Sequence, residues 1–223
     1  MTKIWQFPTF PIEKQLFRAP GSAFDGGLTS GGAQLVTPEP GGFGVLEIEP
    51  SVQLDEWDYP MSSWLMSKTN GQVFRVRLAP TPQIAFSQRR GNAMSVPWDN
   101  GEPWSNQENW EGDFSAVYSA PALKGSLTVE VDLTGVGPIL QQGHVIGHEF
   151  SAYGIDEIEY DGDTASITLN LPLRRAVAIG DQCPLRPWFT GRIVGDGFKS
   201  MYEAKLGGHI KMGTILMYEA VVP

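Results

Sequence analysis

Hydrophobic and polar residues alternate with a period of two along much of this chain, the spacing of a half-buried strand. Between Gly44 and Glu49, Val45, Leu46 and Ile48 are set against Glu47 and Glu49. The segment Val73–Leu78 alternates more cleanly, with Arg75 and Arg77 on the face opposite Phe74, Val76 and Leu78. Leu127, Val129 and Val131 alternate with Thr128, Glu130 and Asp132. Shorter or interrupted strands are predicted at Gln83–Phe86, at Ile139–Phe150 with breaks at Gly143 and Gly147, and at Trp188–Val194, Tyr202–Leu206 and Thr214–Val222. One segment, about 60–69, has helical spacing instead. Pro60 suits a first turn, Met61, Trp64, Leu65 and Lys68 share a face, and Asn70-Gly71 supplies a stop. That apolar face reads as core rather than as a binding surface.

The strongest local signal is a hairpin from Ile155 to Leu171. Asp161-Gly162 suits the two central positions of a type I′ turn, which sets Tyr160 opposite Asp163, Glu159 opposite Thr164 and Ile158 opposite Ala165. Ile158, Ala165, Ile167 and Leu169 then share a buried face, and Glu157, Glu159, Thr164 and Ser166 a solvated one. A one-residue slip would mix the two faces. Pro172 ends the second strand or places it at an edge.

Composition sharpens this into a fold class. With 26 Gly, 17 Pro and only 18% charged residues, the chain is punctuated for turns and is poor in helix interiors. The expectation is a mainly β protein in three parts. Residues 1–42 form an extended arm of loops, broken by Pro8, Pro11 and Pro20, that lies along another surface. Residues 43–121 form a β-sandwich or barrel-like domain with the one short helix and a Trp-rich loop at 97–110. Residues 122–223 form a C-terminal antiparallel β-module.

Charge narrows the function classes. The formal net charge is −9 and no basic stripe exists; Arg89-Arg90 and Arg174-Arg175 are only pairs. Conventional nucleic-acid binding, which relies on clustered cations to release counterions, is disfavoured. No apolar run approaches the roughly 20 residues that span a bilayer, and Met1–Pro8 has no signal-peptide core, so no membrane anchor is expected. Synthesis and solubility in the cytoplasm are the corresponding expectation.

Candidate chemistry is sparse. Cys183 is the single cysteine, which leaves no intrachain disulfide and reads as a small buried residue. His144 and His148 would lie about 13 Å apart on a strand, so they and His209 read as structural rather than as metal ligands. Trp98, Trp104 and Trp110 sit among Asn, Gln and Glu. They suit either a loop anchor at a subunit interface, which is favoured, or a surface that stacks on sugar rings. Glu102, Glu108 and Glu111 beside them are the acids a glycan hydrolase would use, whereas Glu157 and Glu159 are accounted for by the hairpin's solvated face. No nucleophile elbow, zinc-protease motif, calcium loop or P-loop is present. The expectation is a protein that is not an enzyme, with no catalytic, cofactor-binding or metal residues to assign and no cofactor.

One succession carries a resemblance. Gly143-His144-Val145-Ile146-Gly147 is followed by Tyr153–Ile158, the Asp161-Gly162 turn, Ile167–Arg174 and Val177–Asp181. This order resembles the C-terminal region of small tail-tip proteins of long-tailed bacteriophages and prophages. The N-terminal half, a helix between strands, looks like the sandwich-plus-helix plan of tail-tube and distal tail ring subunits. The resemblance covers residues 125–223 and, more loosely, 43–80; the Trp-rich loop has no counterpart in it. It implies a structural virion component that forms a homo-oligomeric ring, typically a hexamer, joining the tail-tube protein to the tail hub or baseplate. DNA would be met only in transit through the ring, where an acidic wall repels it. The rival readings are a carbohydrate- or receptor-binding tail module using Trp98, Trp104 and Trp110, and a tail-associated glycan hydrolase.

Overall fold

A computed structural model describes residues 3–8, 12–18, 21–28, 34–50, 60, 64–65, 67–68, 71–79, 115–198, 203–204, 210–211 and 213–221. These residues are mainly β, in two sheets of six strands and two of two, as the alternating pattern predicts. The strands are β1 (Ile4–Gln6), β2 (Ile12–Arg18), β3 (Gly21–Leu28), β4 (Gln34–Gly42), β5 (Val45–Pro50) and β6 (Val73–Arg77). They continue as β7 (Ser115–Tyr118), β8 (Thr128–Asp132), β9 (Val145–His148), β10 (Ser151–Asp161), β11 (Thr164–Leu169) and β12 (Gln182–Pro184). The last are β13 (Trp188–Phe198), β14 (Glu203–Ala204), β15 (Ile210–Lys211) and β16 (Ile215–Glu219).

The chain divides into two compact units. One is made of Met1–Leu78 and Trp188–Pro223, the other of Ala79–Pro187. Boundaries expected at 42/43 and 121/122 do not coincide with this division. The reason is hydrogen bonding: the first sheet runs β1-β6-β13-β16-β5-β2, so two strands from the end of the chain sit between four from its beginning. Residues 1–42, expected as an arm of loops, contribute β1 to β4. β1 pairs parallel to β6, and β2 pairs antiparallel to β5 with Phe17 opposite Leu46. Ion pairs Arg18–Glu47 and Lys14–Glu49 decorate the latter ladder at its exposed side chains.

β3 and β4 pair antiparallel as a two-stranded sheet of their own, from Gly21 opposite Gly42 to Leu28 opposite Gln34. Among the described residues this ribbon pairs with no third strand.

The first unit's core is aromatic. Phe74 is fully buried and meets Phe7 and Trp64 edge-on. Pro60, Trp64, Leu65 and Ser67 are helical, with a turn at Lys68, and Leu65 is fully buried. The helical apolar face is therefore core where it is described. The sheet itself is strongly curled: Gln15 of β2 donates to the Arg77 carbonyl of β6, and Phe17 meets Phe189 of β13.

The second unit is one antiparallel sheet in the order β12-β7-β8-β11-β10-β9. It buries Tyr118, Val131, Leu133, Leu140, Ile146, Tyr153, Ala165, Ile167 and Cys183 on its inner face. The Ile155–Leu171 hairpin is present, with one correction. Asp161 pairs with Thr164, Tyr160 with Ala165 and Ile158 with Ile167, so the turn's central residues are Gly162 and Asp163. Gly162 has φ +62° and Asp163 does not enter the left-handed region, which excludes type I′ and fits type II′ with glycine first. The turn thus moves by one residue and every pair by two. Because the side-chain period is two, the faces survive: Ala165, Ile167 and Leu169 are buried, while Glu157, Glu159 and Ser166 are exposed.

Candidate functional site

Four side chains with titratable groups converge where the second unit's sheet curls towards closure. Tyr118 ends β7, His148 ends β9, Cys183 lies in β12 and Asp181 immediately precedes it. The Tyr118 hydroxyl, fully buried, donates to the Gly147 carbonyl of β9 at 2.9 Å. Its ring meets the His148 imidazole edge-on at 5.7 Å. His148 Nε2 lies 3.3 Å from Asp181 Oδ2, which also accepts from the Ala178 amide at 2.8 Å. Gly147 is needed at this closure because a Cβ there would overlap Pro187.

Electrostatics decide what the cluster can do. Burial pushes the Cys183 thiol up to about 12, partly offset by hydrogen bonds with Tyr118 and the Gly147 backbone. Burial likewise drives the Tyr118 phenol well above its ordinary range, reinforced by Cys183. Both groups are protonated at neutral pH, and a thiol in that state is a poor nucleophile. Asp181 is held below the usual carboxylate range, first by the Ala178 amide and then by His148. The arrangement acts as a polar clasp joining β7, β9 and β12, and Cys183 is the small buried residue the sequence predicts.

The histidines separate. His144 is 6% exposed, its Nδ1 is buried with no hydrogen-bond partner among the described residues, and burial lowers its pKa. His148 belongs to the clasp, and His209 lies outside the described residues. Among the described residues, no three His, Cys, Asp or Glu side chains gather closely enough to hold a metal ion. Trp98, Trp104 and Trp110 lie outside the described residues, as do Glu102, Glu108 and Glu111.

Two surface features of the second unit complete the inventory. The first is acidic. Glu157, Glu159 and Asp161 of β10 face Thr168, Ser166 and Thr164 of β11, which in turn face Thr128, Glu130 and Asp132 of β8. This places five carboxylates around a Thr-Ser-Thr column on one sheet face, all exposed except the half-buried Asp132. The second is apolar. Leu123 and Ile179 are 78% and 68% exposed, on neighbouring segments bridged at Ala122 and Val177.

Sequence reasoning identified the Glu157–Glu159 face but missed the clasp and the apolar pair. The clasp joins residues from three segments far apart in sequence. Ala-Pro-Ala-Leu-Lys-Gly around Leu123 has no alternation to mark it as a paired segment. No protein-family model matches the chain, and no curated protein matches it in sequence.

Proposed function

We propose that this protein is a structural virion component of a bacteriophage tail, placed as a distal ring that links the tail tube to the hub and lines the DNA exit channel. One observation carries the assembly half of this reading: the β3–β4 ribbon, a two-stranded sheet with no third strand among the described residues. A two-stranded ribbon alone is marginal in water, and its unpaired backbone edges are templates for another chain. A ring supplies that second surface from the neighbouring copy.

The charge supports the channel half. With a net charge of −9 and a coherent acidic sheet face, the surface repels a polyanion instead of retaining it. The family resemblance of residues 125–223 supplies the phage tail itself. Partners on this reading are further copies of the chain, the tail-tube protein and the hub.

Negative-stain imaging of the purified chain, alone and mixed with tail-tube protein, tests the proposal. Rings are expected, and replacing Trp98, Trp104 and Trp110 together by Ala leaves any glycan affinity unaffected but weakens assembly. Isolated particles in both samples, with cell or glycan binding lost in the triple variant, would replace the ring by a receptor-binding module. Cell-wall turnover lost on Glu102→Gln or Glu108→Gln would replace it by a hydrolase.

A further inference from the structure

The apolar pair on the second unit sits on a ledge of its own. The segments 119–127 and 172–180 run side by side, joined by mutual hydrogen bonds between the Ala122 and Val177 backbones and by the Leu173 amide donating to the Ser126 carbonyl. Together they hold Lys124, Arg174 and Arg175 and not one carboxylate, in a chain whose net charge is −9. Lys124 is exposed, and Arg175 reaches out to Glu149 at 2.7 Å. Leu123 and Ile179 are the two most exposed large apolar side chains among the described residues. Apolar anchors beside cations suit an acidic partner surface.

Such a surface exists at the other end of the same strands. β11 begins at the hairpin turn and ends beside the ledge, where the Leu169 amide donates to the Leu127 carbonyl. Its six residues separate turn from ledge by about 20 Å. The hairpin end carries Glu159, Asp161 and Asp163, all exposed, with no ion-pair partner among the described residues. Tyr160, between Glu159 and Asp161, lies on the opposite face of β10 with its hydroxyl donating to the Leu140 carbonyl, so the acids alone form the outer face of this end.

We infer that the ledge of one copy receives the acidic hairpin end of the next copy. The exposed Lys124 meets Asp161 and Asp163, and Leu123 beside it packs against the hairpin turn. A patch whose complement lies elsewhere on the same molecule makes a head-to-tail contact, which gives a ring where the rotation between copies closes and a filament where it does not. The inference rests on the ring reading above and assigns one of the contacts that would close it.

Cysteine crosslinking of the full chain tests this. The buried Cys183, with its raised pKa, does not compete. A Leu123→Cys chain mixed with an Asp163→Cys chain is expected to give disulfide dimers under mild oxidation, while either chain alone gives none. A chain carrying both substitutions is expected to give a ladder of covalent oligomers. Lys124→Glu in the first chain should cut the dimer yield about tenfold, because like charges then face one another. Adding Asp161→Lys to the second chain should restore it, an outcome that misfolding of either variant would not produce. Dimers from a single variant alone would mean a two-fold contact and overturn the inference. Absence of crosslinks while the unmodified chain still forms rings would overturn it and leave the ring reading standing. A monomer in every sample would remove both.

Discussion

The two units of this protein solve the same problem by opposite routes. Both are six-stranded curled sheets with aromatic or tyrosine-rich cores. The second is drawn from one continuous stretch, Ala79–Pro187, and β9, β10 and β11 pair as successive hairpins. The first is closed by the last strands of the chain: β16 sets Ile215 opposite Ile48, and β13 sets Gly191 opposite Phe74. A continuous unit can form from local contacts, whereas a split unit must first close a loop around everything inserted in it. The split unit also carries the β3–β4 ribbon, while the continuous unit carries the clasp, the acidic face and the ledge.

The largest effect follows from cutting the units apart. A fragment of residues 79–187 should give a cooperative thermal transition by circular dichroism. Residues 1–78 alone should show none, because β13 and β16 occupy the middle of their sheet. A folded 1–78 fragment would abolish the distinction between the units.

Point changes should then affect one unit at a time. A Cβ on Gly191 would overlap the Phe189 ring and approach the Tyr218 carbonyl. Gly191→Val should therefore destabilise the first unit by about 3 kcal/mol through overpacking. In denaturant melts followed by amide exchange, protection should fall in β6, β13 and β16 and hold in β8 to β11. For the second unit, Tyr118→Phe leaves the buried Gly147 carbonyl without its donor and should cost about 1.5 kcal/mol. Gly162→Ala places a side chain at φ +62° and should cost about 1 kcal/mol, read as a lower denaturant midpoint.

The smallest effect concerns pH. Burial lowers the folded-state pKa of His144 from 6.5, so the unfolded chain takes up a proton before the folded one. Its contribution is complete above pH 6.5 and is lost as pH falls from there through the lowered folded value. Asp181, also lowered, adds a second loss further down, below the ordinary carboxylate value of 3.8. Titrating the denaturant midpoint of fragment 79–187 from pH 8 to pH 5 should show a decline that His144→Asn flattens. An unchanged slope in that variant would place the sensitivity elsewhere.

What the sequence made legible follows the same divide. In the hairpin, alternation assigned the buried and solvated faces correctly although the turn was placed one residue early. Asp161-Gly162 is a good type I′ pair, but only the glycine takes positive φ, and a shift of two pairs preserves parity. Val73–Leu78 and Val45–Pro50 were equally readable as strands, for each repeats its pattern within a few residues. Their partners were not, since nothing local to Ile48 announces Ile215. The first 42 residues read as loops because prolines and glycines interrupt them repeatedly, yet tertiary pairing makes strands of four segments there. The clasp was invisible for the same reason as the split sheet: Tyr118, His148, Asp181 and Cys183 meet only after the strands have curled.

On the proposed reading, this chain is completed by copies of itself. The most direct test is the mass of the unmodified full-length protein in solution, by native mass spectrometry across a range of concentrations. A discrete closed assembly, six copies on the ring reading, each of 24.4 kDa, is the predicted result. A single species at 24.4 kDa at every concentration, with or without tail-tube protein, would contradict it.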